Sequence, residues 1–485
     1  MPSDLHLQVD AQASAPFEGP EKLLEIWFAP SAAHVPHIGG PDGKVGLRAI
    51  PRQIWEDMLQ IVKCKVLSVI EGTEIDAYLL RSFKPPKHLT LCSFHGFFNS
   101  ESSLFVSPHR LILKTCGTTL NLLGLPRILE IAANEVHLHN VYRFFYSRKS
   151  FMFPERQCGP HKDWNHEVEY LDHFFKNGAA YTVGKVNGDH WLLYMASSEN
   201  SIDDPTASPE LQPVQDRDLD YTIEILMSDL SPRASDPFFC TETPGDGGPS
   251  AQGFHISKNL GIVDIFPPPL TNLDAYAFTP CGYSSNALIK WRVESLDYDS
   301  DASDHIHHGL INGHVNDHTD RDVSGHINSH TNTDANDRHT ADHSSGCPNG
   351  HDGCESLIEL AQSGEGYYTI HVTPEQGWSY ASFECNIPLS TSSKRSTKSN
   401  IPDLKTLIKR VVNIFEPGRI TLTLFISGEH NDGGEGESPI EAAQRAFKAA
   451  LTTTENGLHK PYKRTDKINY EFGSYDLAFA SFELN

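Results

Sequence analysis

The chain has 485 residues, 38% of them apolar and 10% aromatic, enough to bury a sizeable core in one large domain or two average ones. A formal net charge of −24 argues against nucleic acid or an anionic membrane as the main partner and leaves room for a cationic ligand. Nine cysteines without a CxxC pair suit a reduced compartment, and residues 1–16 lack the apolar run of a signal peptide. No stretch reaches the roughly 18 apolar residues that span a bilayer, so a cytoplasmic protein is expected.

In chain order, residues 1–16 read as a disordered tail and dense patterning begins at Phe17. Glu21, Leu23, Glu25 and Trp27 alternate with Lys22, Leu24, Ile26 and Phe28, the period of a strand between two layers. A second strand-like run ends Ala77-Tyr78-Leu79-Leu80, and residues 120–132 carry helical spacing. Asp220, Thr222 and Glu224 share a strand face. Residues 297–356 consist mainly of Asp, His, Asn, Ser, Thr and Gly, with ten histidines, and hold too little apolar surface to offset the entropy of ordering. They form a disordered His/Asp/Asn-rich insertion. No histidine spacing repeats as a closed metal site would require, so no metal is expected. His371, Thr373 and Glu375 then share a face, as do Tyr380, Ser382 and Glu384. Leu404, Leu407, Ile408, Val411, Val412 and Phe415 repeat at three and four, as a helix does. Strands and helices in alternating blocks give an α+β class.

Acidic residues stand on otherwise core-like strands: Glu25, Asp220, Glu224 and Glu384. Each alone reads as a solvated strand face. Together they suggest a shared buried cluster, which a cation or shared protons must compensate.

Ser100-Glu101-Ser102-Ser103-Leu104-Phe105-Val106, followed by Leu113-Lys114-Thr115-Cys116-Gly117-Thr118-Thr119, resembles the processing site and catalytic cysteine of eukaryotic S-adenosylmethionine decarboxylase proenzymes. Phe17-Glu18-Gly19, Phe144-Phe145-Tyr146-Ser147-Arg148-Lys149, Pro280-Cys281-Gly282-Tyr283-Ser284 and Ile370-His371-Val372-Thr373-Pro374-Glu375 follow in the same order. The resemblance implies a four-layer α/β/β/α sandwich, two antiparallel sheets with helices outside, as a single domain over 17–485. It implies self-cleavage between Glu101 and Ser102 into a β chain (1–101) and an α chain (102–485) headed by a pyruvoyl group. That group would form a Schiff base with S-adenosylmethionine and accept the electrons released with carbon dioxide, in the service of spermidine and spermine synthesis.

By the same resemblance, Ser102 attacks the preceding carbonyl and becomes the pyruvoyl group, a role its nucleophilic hydroxyl permits. His371 is the base of the elimination, and Ser284 bonds the tetrahedral intermediate. Cys116 returns a proton to the product, Phe17 and Phe278 sandwich the adenine, Glu375 holds the ribose, and Glu18 and Glu21 are further acidic site residues. Putrescine, an activator of the mammalian relatives, matches Glu25, Asp220, Thr222, Glu224 and Glu384, with Phe145 and Phe425 as walls; an internal Lys or Arg could neutralise the same acids. A homodimer of αβ units is compatible with the resemblance, although oligomeric state is not legible. The rival function is a non-catalytic regulatory paralogue, which loss of Ser102, Cys116 or His371 would signal; all three are present. Residues 81–99 interrupt the pattern just before the scissile bond. They read either as a surface loop or, the reading we favour, as a translated intron.

Overall fold

The computed structural model describes residues 18–38, 40–83, 101–197, 220–240, 247–293, 362–391, 400–427, 437–454, 457–472 and 475–485. The 1–16 tail, Phe17, the 297–356 insertion and residues 84–99 lie outside the described residues.

The first eight strands are β1 (Lys22–Trp27), β2 (Cys64–Glu71), β3 (Asp76–Ser82), β4 (Glu101–Val106), β5 (Arg110–Thr115), β6 (Arg143–Lys149), β7 (Ala179–Gly184) and β8 (His190–Ser197). They form an antiparallel sheet ordered β2-β3-β4-β5-β1-β6-β8-β7. The next eight are β9 (Tyr221–Leu230), β10 (Thr271–Ala277), β11 (Tyr283–Val293), β12 (Gln362–Thr373), β13 (Tyr380–Cys385), β14 (Pro417–Ser427), β15 (Tyr462–Glu471) and β16 (Tyr475–Leu484). Their order, β10-β11-β12-β13-β9-β14-β16-β15, repeats the first with every number raised by eight. The two halves therefore share one topology.

Period-two alternation gives each sheet two buried faces. On the outer face of the first sheet, Leu24, Ile26, Leu104 and Leu113 pack against α1 (Arg52–Ile61), α2 (Leu125–Val136) and α3 (Trp164–Asp172). On the outer face of the second, Ile223, Ile225, Ile370 and Leu422 pack against helices that follow the four-residue α4 (Pro232–Ser235): α5 (Gly248–Asn259), α6 (Leu404–Phe415) and α7 (Pro439–Leu451). The six apolar positions of α6 noted above are all buried, and Asp403 caps it by accepting from Thr406 N at 2.7 Å. The inner faces meet: Phe105 stacks on Tyr367 with centroids 4.0 Å apart, and Trp27 and Phe145 share a core with Leu226, Leu477 and Phe479. The result is the four-layer α/β/β/α sandwich.

One boundary and one cysteine differ from expectation. β3 does not end at Leu80: Arg81 pairs with Glu101 and Ser82 with Cys64, so the chain leaves the sheet two residues later. Among the described cysteines, Cys158 is disulfide-bonded rather than reduced, whereas Cys64, Cys116, Cys240, Cys281 and Cys385 are free and buried. No helix among the described residues is long and apolar enough to cross a membrane.

Candidate active site

Antiparallel pairing brings the start of β4, the ends of β3, β5 and β12, and the start of β11 to one end of the sandwich. The Glu101–Ser102 bond lies there, and Ser102 is fully buried opposite Leu80 and Thr115. Strand alternation separates its neighbours. Ser103 and Phe105 face the second sheet, while Leu104 and Val106 face the helices. Ser102 shares the latter side, where its hydroxyl sits beside the Cys64 thiol with no other partner among the described residues.

The Glu101 carbonyl is held from β5. Glu101 O accepts from Cys116 N at 3.3 Å and also from the Cys116 thiol. Burial, with the carboxylates of Glu101 and Glu21 nearby, pushes that thiol well above its ordinary range, so it keeps its proton. The Glu101 side chain is likewise buried and lies 3.3 Å from Cys116 Sγ. Its carboxyl is pushed up to about 8, by burial first and then by the charges of Glu21 and Glu375. Gly282, at φ +113°, closes this corner, and a Cβ there would collide with Glu101 Oε1. The backbone of Cys281–Tyr283 can approach only because position 282 has no side chain.

Across the interface, Ser284 and His371 face each other in register on β11 and β12. Both are buried, and Ser284 Oγ has no hydrogen-bond partner among the described residues. His371 Nδ1 lies 2.5 Å from Glu21 Oε1 and Nε2 lies 3.0 Å from Ser103 Oγ. Glu21 Oε1 also accepts from Ser382 Oγ at 2.8 Å. Burial opposes ionisation of Glu21, but Lys114 and His371 outweigh it and hold the carboxyl below its ordinary range.

Of the remaining expected residues, Phe278, Glu375 and Glu18 are described. Phe278 is buried, tied by its N–H to Gly282 O at 2.9 Å, with its ring 4.9 Å from that of Tyr276. Glu375 is half-buried at the turn after β12. Glu18 acts as a strut, accepting from the backbone N–H groups of Met152 and Phe153 at 2.7 and 2.8 Å.

Beyond Glu21 the interface continues into the acidic cluster, all of it buried apart from the half-buried Thr222. Lys114, completely buried, lies 2.8 Å from Glu384, 3.5 Å from Glu21 and 3.9 Å from Glu224. Arg110 lies 3.4 Å from Glu25 and 3.5 Å from Asp220, over the Trp27 ring. Burial and Asp220 push Glu25 up to about 8, and burial pushes Glu224 up to about 7 despite Lys114. A cavity of about 40 Å³ opens beside them, lined by Glu25, Asp220, Thr222, Glu224 and the Phe145 and Phe425 rings. It can hold at least a water or two by volume.

The structure therefore brings Ser102, Cys116, Ser284, His371, Glu21 and Glu101 together, and gathers Glu25, Asp220, Glu224 and Glu384 next to them. Lys114 and Arg110 carried no expected role. Their signal was present, since Arg110, Ile112 and Lys114 alternate on β5 and so share its inner face. Ser103, a third neighbour of His371, was also not singled out.

A family model described as adenosylmethionine decarboxylase matches residues 14–82, 88–295 and 349–483. It leaves out 296–348, nearly all inside the expected 297–356 insertion, but of the expected 81–99 insertion it leaves out only 83–87 and matches the rest. Among curated proteins, the chain is 29% identical to an S-adenosylmethionine decarboxylase proenzyme of Saccharomyces cerevisiae, over 98% of this chain and 95% of that one. It is 30% identical to the proenzyme of Xenopus laevis over 98% of each chain, and 32% identical to that of Drosophila melanogaster over 96% and 95%.

Proposed function

The chain belongs to the adenosylmethionine decarboxylase family, and we propose that it prepares its own pyruvoyl group at Ser102 with the residues gathered around the Glu101–Ser102 bond. Its reaction is decarboxylation of S-adenosylmethionine, which supplies aminopropyl groups for polyamines.

The observation that carries the processing reading is the pair of donors on the Glu101 carbonyl, followed by a buried Ser102 whose hydroxyl makes no hydrogen bond among the described residues. Attack of Ser102 Oγ on Glu101 C puts negative charge on Glu101 O. Donors already aimed at that oxygen favour the tetrahedral species without reorganising. Ser284 supplies a further hydroxyl from the opposite sheet. Collapse breaks the amide, leaving an ester between Glu101 and the Ser102 oxygen and a free amine on Ser102.

The ester is then eliminated: His371 takes the α-proton, that electron pair forms the Cα–Cβ double bond, and the Cβ–O bond breaks to release Glu101 as a carboxylate. His371 stands on the inner face of β4, whereas Ser102 Cβ points to the helix face. Proton and leaving group thus depart on opposite sides of Cα. Glu21 supports the imidazolium that forms. Water then replaces the nitrogen, with loss of ammonia, and leaves the pyruvoyl carbonyl.

Once formed, that carbonyl supplies an electron sink for the departing carboxylate of the substrate. The protein's own groups do the rest. Cys116, kept protonated by its buried acidic surroundings, delivers the proton to Cα. Phe17 and Phe278 hold the adenine and Glu375 the ribose. The acid-lined cavity beside Glu25, Asp220 and Glu224 takes putrescine, whose two ammonium groups would add to the partial neutralisation by Lys114 and Arg110. We place the enzyme in the cytoplasm as a homodimer of αβ units, which sedimentation can test.

Intact mass of the purified protein tests the processing reading. Two chains, 1–101 and a pyruvoyl-headed 102–485, are expected, with one uncut inactive chain for Ser102→Ala. Two chains from Ser102→Ala would place the cut elsewhere.

A further inference from the structure

A buried polar chain crosses between the sheets on the far side of His371 from Glu21. Ser103 Oγ lies 2.7 Å from Asn286 Oδ1, 3.0 Å from His371 Nε2 and 3.2 Å from Thr369 Oγ1, all of them buried. The other end of the Asn286 amide donates from Nδ2 to Tyr78 O on β3, at 3.1 Å. Thr369 itself donates to Ser285 O at 3.2 Å.

The directions of these bonds follow from chemistry. A backbone carbonyl can only accept, so the nitrogen end of the Asn286 amide must face Tyr78 and its oxygen end must face Ser103. An amide oxygen also only accepts, so the single proton of the Ser103 hydroxyl goes to Asn286. Ser103 is then left with lone pairs for His371 and can meet Nε2 only as an acceptor. On its own a serine beside a histidine could play either part. Asn286 decides which.

We propose that Ser103 and Asn286 are a positioning pair for His371 during self-processing, holding an acceptor against Nε2 as Glu21 holds one against Nδ1. An imidazole flanked by an acceptor at each nitrogen is complementary to the imidazolium that appears when the base takes the Ser102 α-proton. The pair also ties three strands, β3, β4 and β11, to the ring on β12, which fixes the ring next to the bond being processed. Ser103 is joined to Ser102 through its backbone, but its hydroxyl and the Asn286 amide reach the reaction only through the ring. Both act through His371, and the inference rests on the assignment of His371 as the elimination base.

The test follows the ester, which hydroxylamine cleaves whereas an amide resists it. Parent, His371→Ala, Ser103→Ala, Ser103→Thr, Asn286→Leu and the Ser103→Ala/Asn286→Leu double variant are purified, checked for cooperative unfolding, and followed by gel and mass with and without hydroxylamine. His371→Ala should accumulate ester. Ser103→Ala and Asn286→Leu should process about three- to tenfold more slowly, the effect of one hydrogen bond, with uncut chain that hydroxylamine splits at residue 102. Ser103→Thr, which keeps the hydroxyl, should recover most of the rate, and the double variant should be no slower than the slower single one. If His371→Ala traps ester while Ser103→Ala processes at the parent rate, the pair has no part in the step and the proposal falls alone. Uncut Ser103→Ala chain that resists hydroxylamine would place the defect before the ester and also overturn it. If His371→Ala traps no ester, the base assignment itself fails.

Discussion

The two sheets share a strand order, yet they contribute opposite chemistry to the interface between them. The first supplies the Glu101–Ser102 bond, the Cys116 thiol and the buried cations Lys114 and Arg110; the second supplies His371, Ser284 and the acids Asp220, Glu224 and Glu384. Equivalent connections differ as well. The link from β3 to β4 opens directly onto Glu101, whereas its counterpart from β11 to β12 leaves from paired Val293 and Gln362, at the opposite end of the strand from Ser284 and His371. A repeated topology thus sets where functional groups can be placed, and the side chains on the inner faces set what each half does. An interface made this way works only when both halves are docked.

The comparison breaks most sharply at Lys114. Lys114→Met leaves Glu21, Glu224 and Glu384 buried without their cation and should cost about 3–5 kcal/mol, the usual penalty for orphaning a buried charge. Chemical denaturation measures this, and a loss below about 1 kcal/mol would show that shared protons, not Lys114, neutralise the acids.

Cys116→Ala should lower decarboxylation by about 10²–10⁴-fold, as loss of a positioned acid does. Because the thiol also donates to Glu101 O, processing should slow as well but continue on the remaining Cys116 N–H. Single-turnover decarboxylation and a processing time course separate the two effects. Unchanged processing would limit the thiol to the later proton transfer.

For the acid-lined cavity, the expected effect is a few-fold. Millimolar putrescine should raise the rate, and Asp220→Val should blunt that response; a flat titration of the parent enzyme would remove the diamine. The pH dependence has a fixed sign. Glu25 and Glu224 are raised to about 8 and about 7 from an ordinary 4.5, so the folded chain holds protons that the unfolded chain has lost. Stability from this cluster is complete below pH 4.5 and is lost as pH rises through about 7–8. A dication favours the ionised carboxylates, so putrescine should raise Tm more at pH 8.5 than at pH 6. An equal gain at both pH values would place its binding elsewhere.

The smallest effect belongs to the distal connection. Replacing 297–356 by a short Gly/Ser linker should change stability by no more than about 2 kcal/mol, because closure entropy grows only with the logarithm of loop length. Loss of soluble protein would give that segment a structural role. The proximal connection is the sharper contrast: joining Ser82 directly to Ser100, which keeps the Arg81–Glu101 pair, should speed self-cleavage. A transcript lacking codons 81–99 would identify the stretch as a retained intron, and its retention in most transcripts would refute that reading.

Local pattern was enough for much of this molecule. The alternation of Glu21, Leu23, Glu25 and Trp27 marked a strand buried on both faces, and the three-four spacing of 404–415 marked α6, because each depends only on the period of one element. The Ser-Glu-Ser-Ser and Lys-Thr-Cys-Gly motifs marked the proposed cut site and the thiol that the structure brings to it. The end of β3 was read two residues early, since Arg81 and Ser82 are held by ladders to β2 and β4 rather than by their own propensity. Which sheet face each group occupies relative to a distant strand was also out of reach. Lys114 meets Glu384 across 270 residues and Ser103 meets Asn286 across 183, and no local period encodes such pairings. Sequence alone determined the elements, the acidic residues and the serine proposed to react. Only the docking of the two sheets decided that Lys114 and Arg110 meet those acids and that His371 stands across the strand from the Ser102 side chain, because burial and charge compensation are properties of the assembled interface.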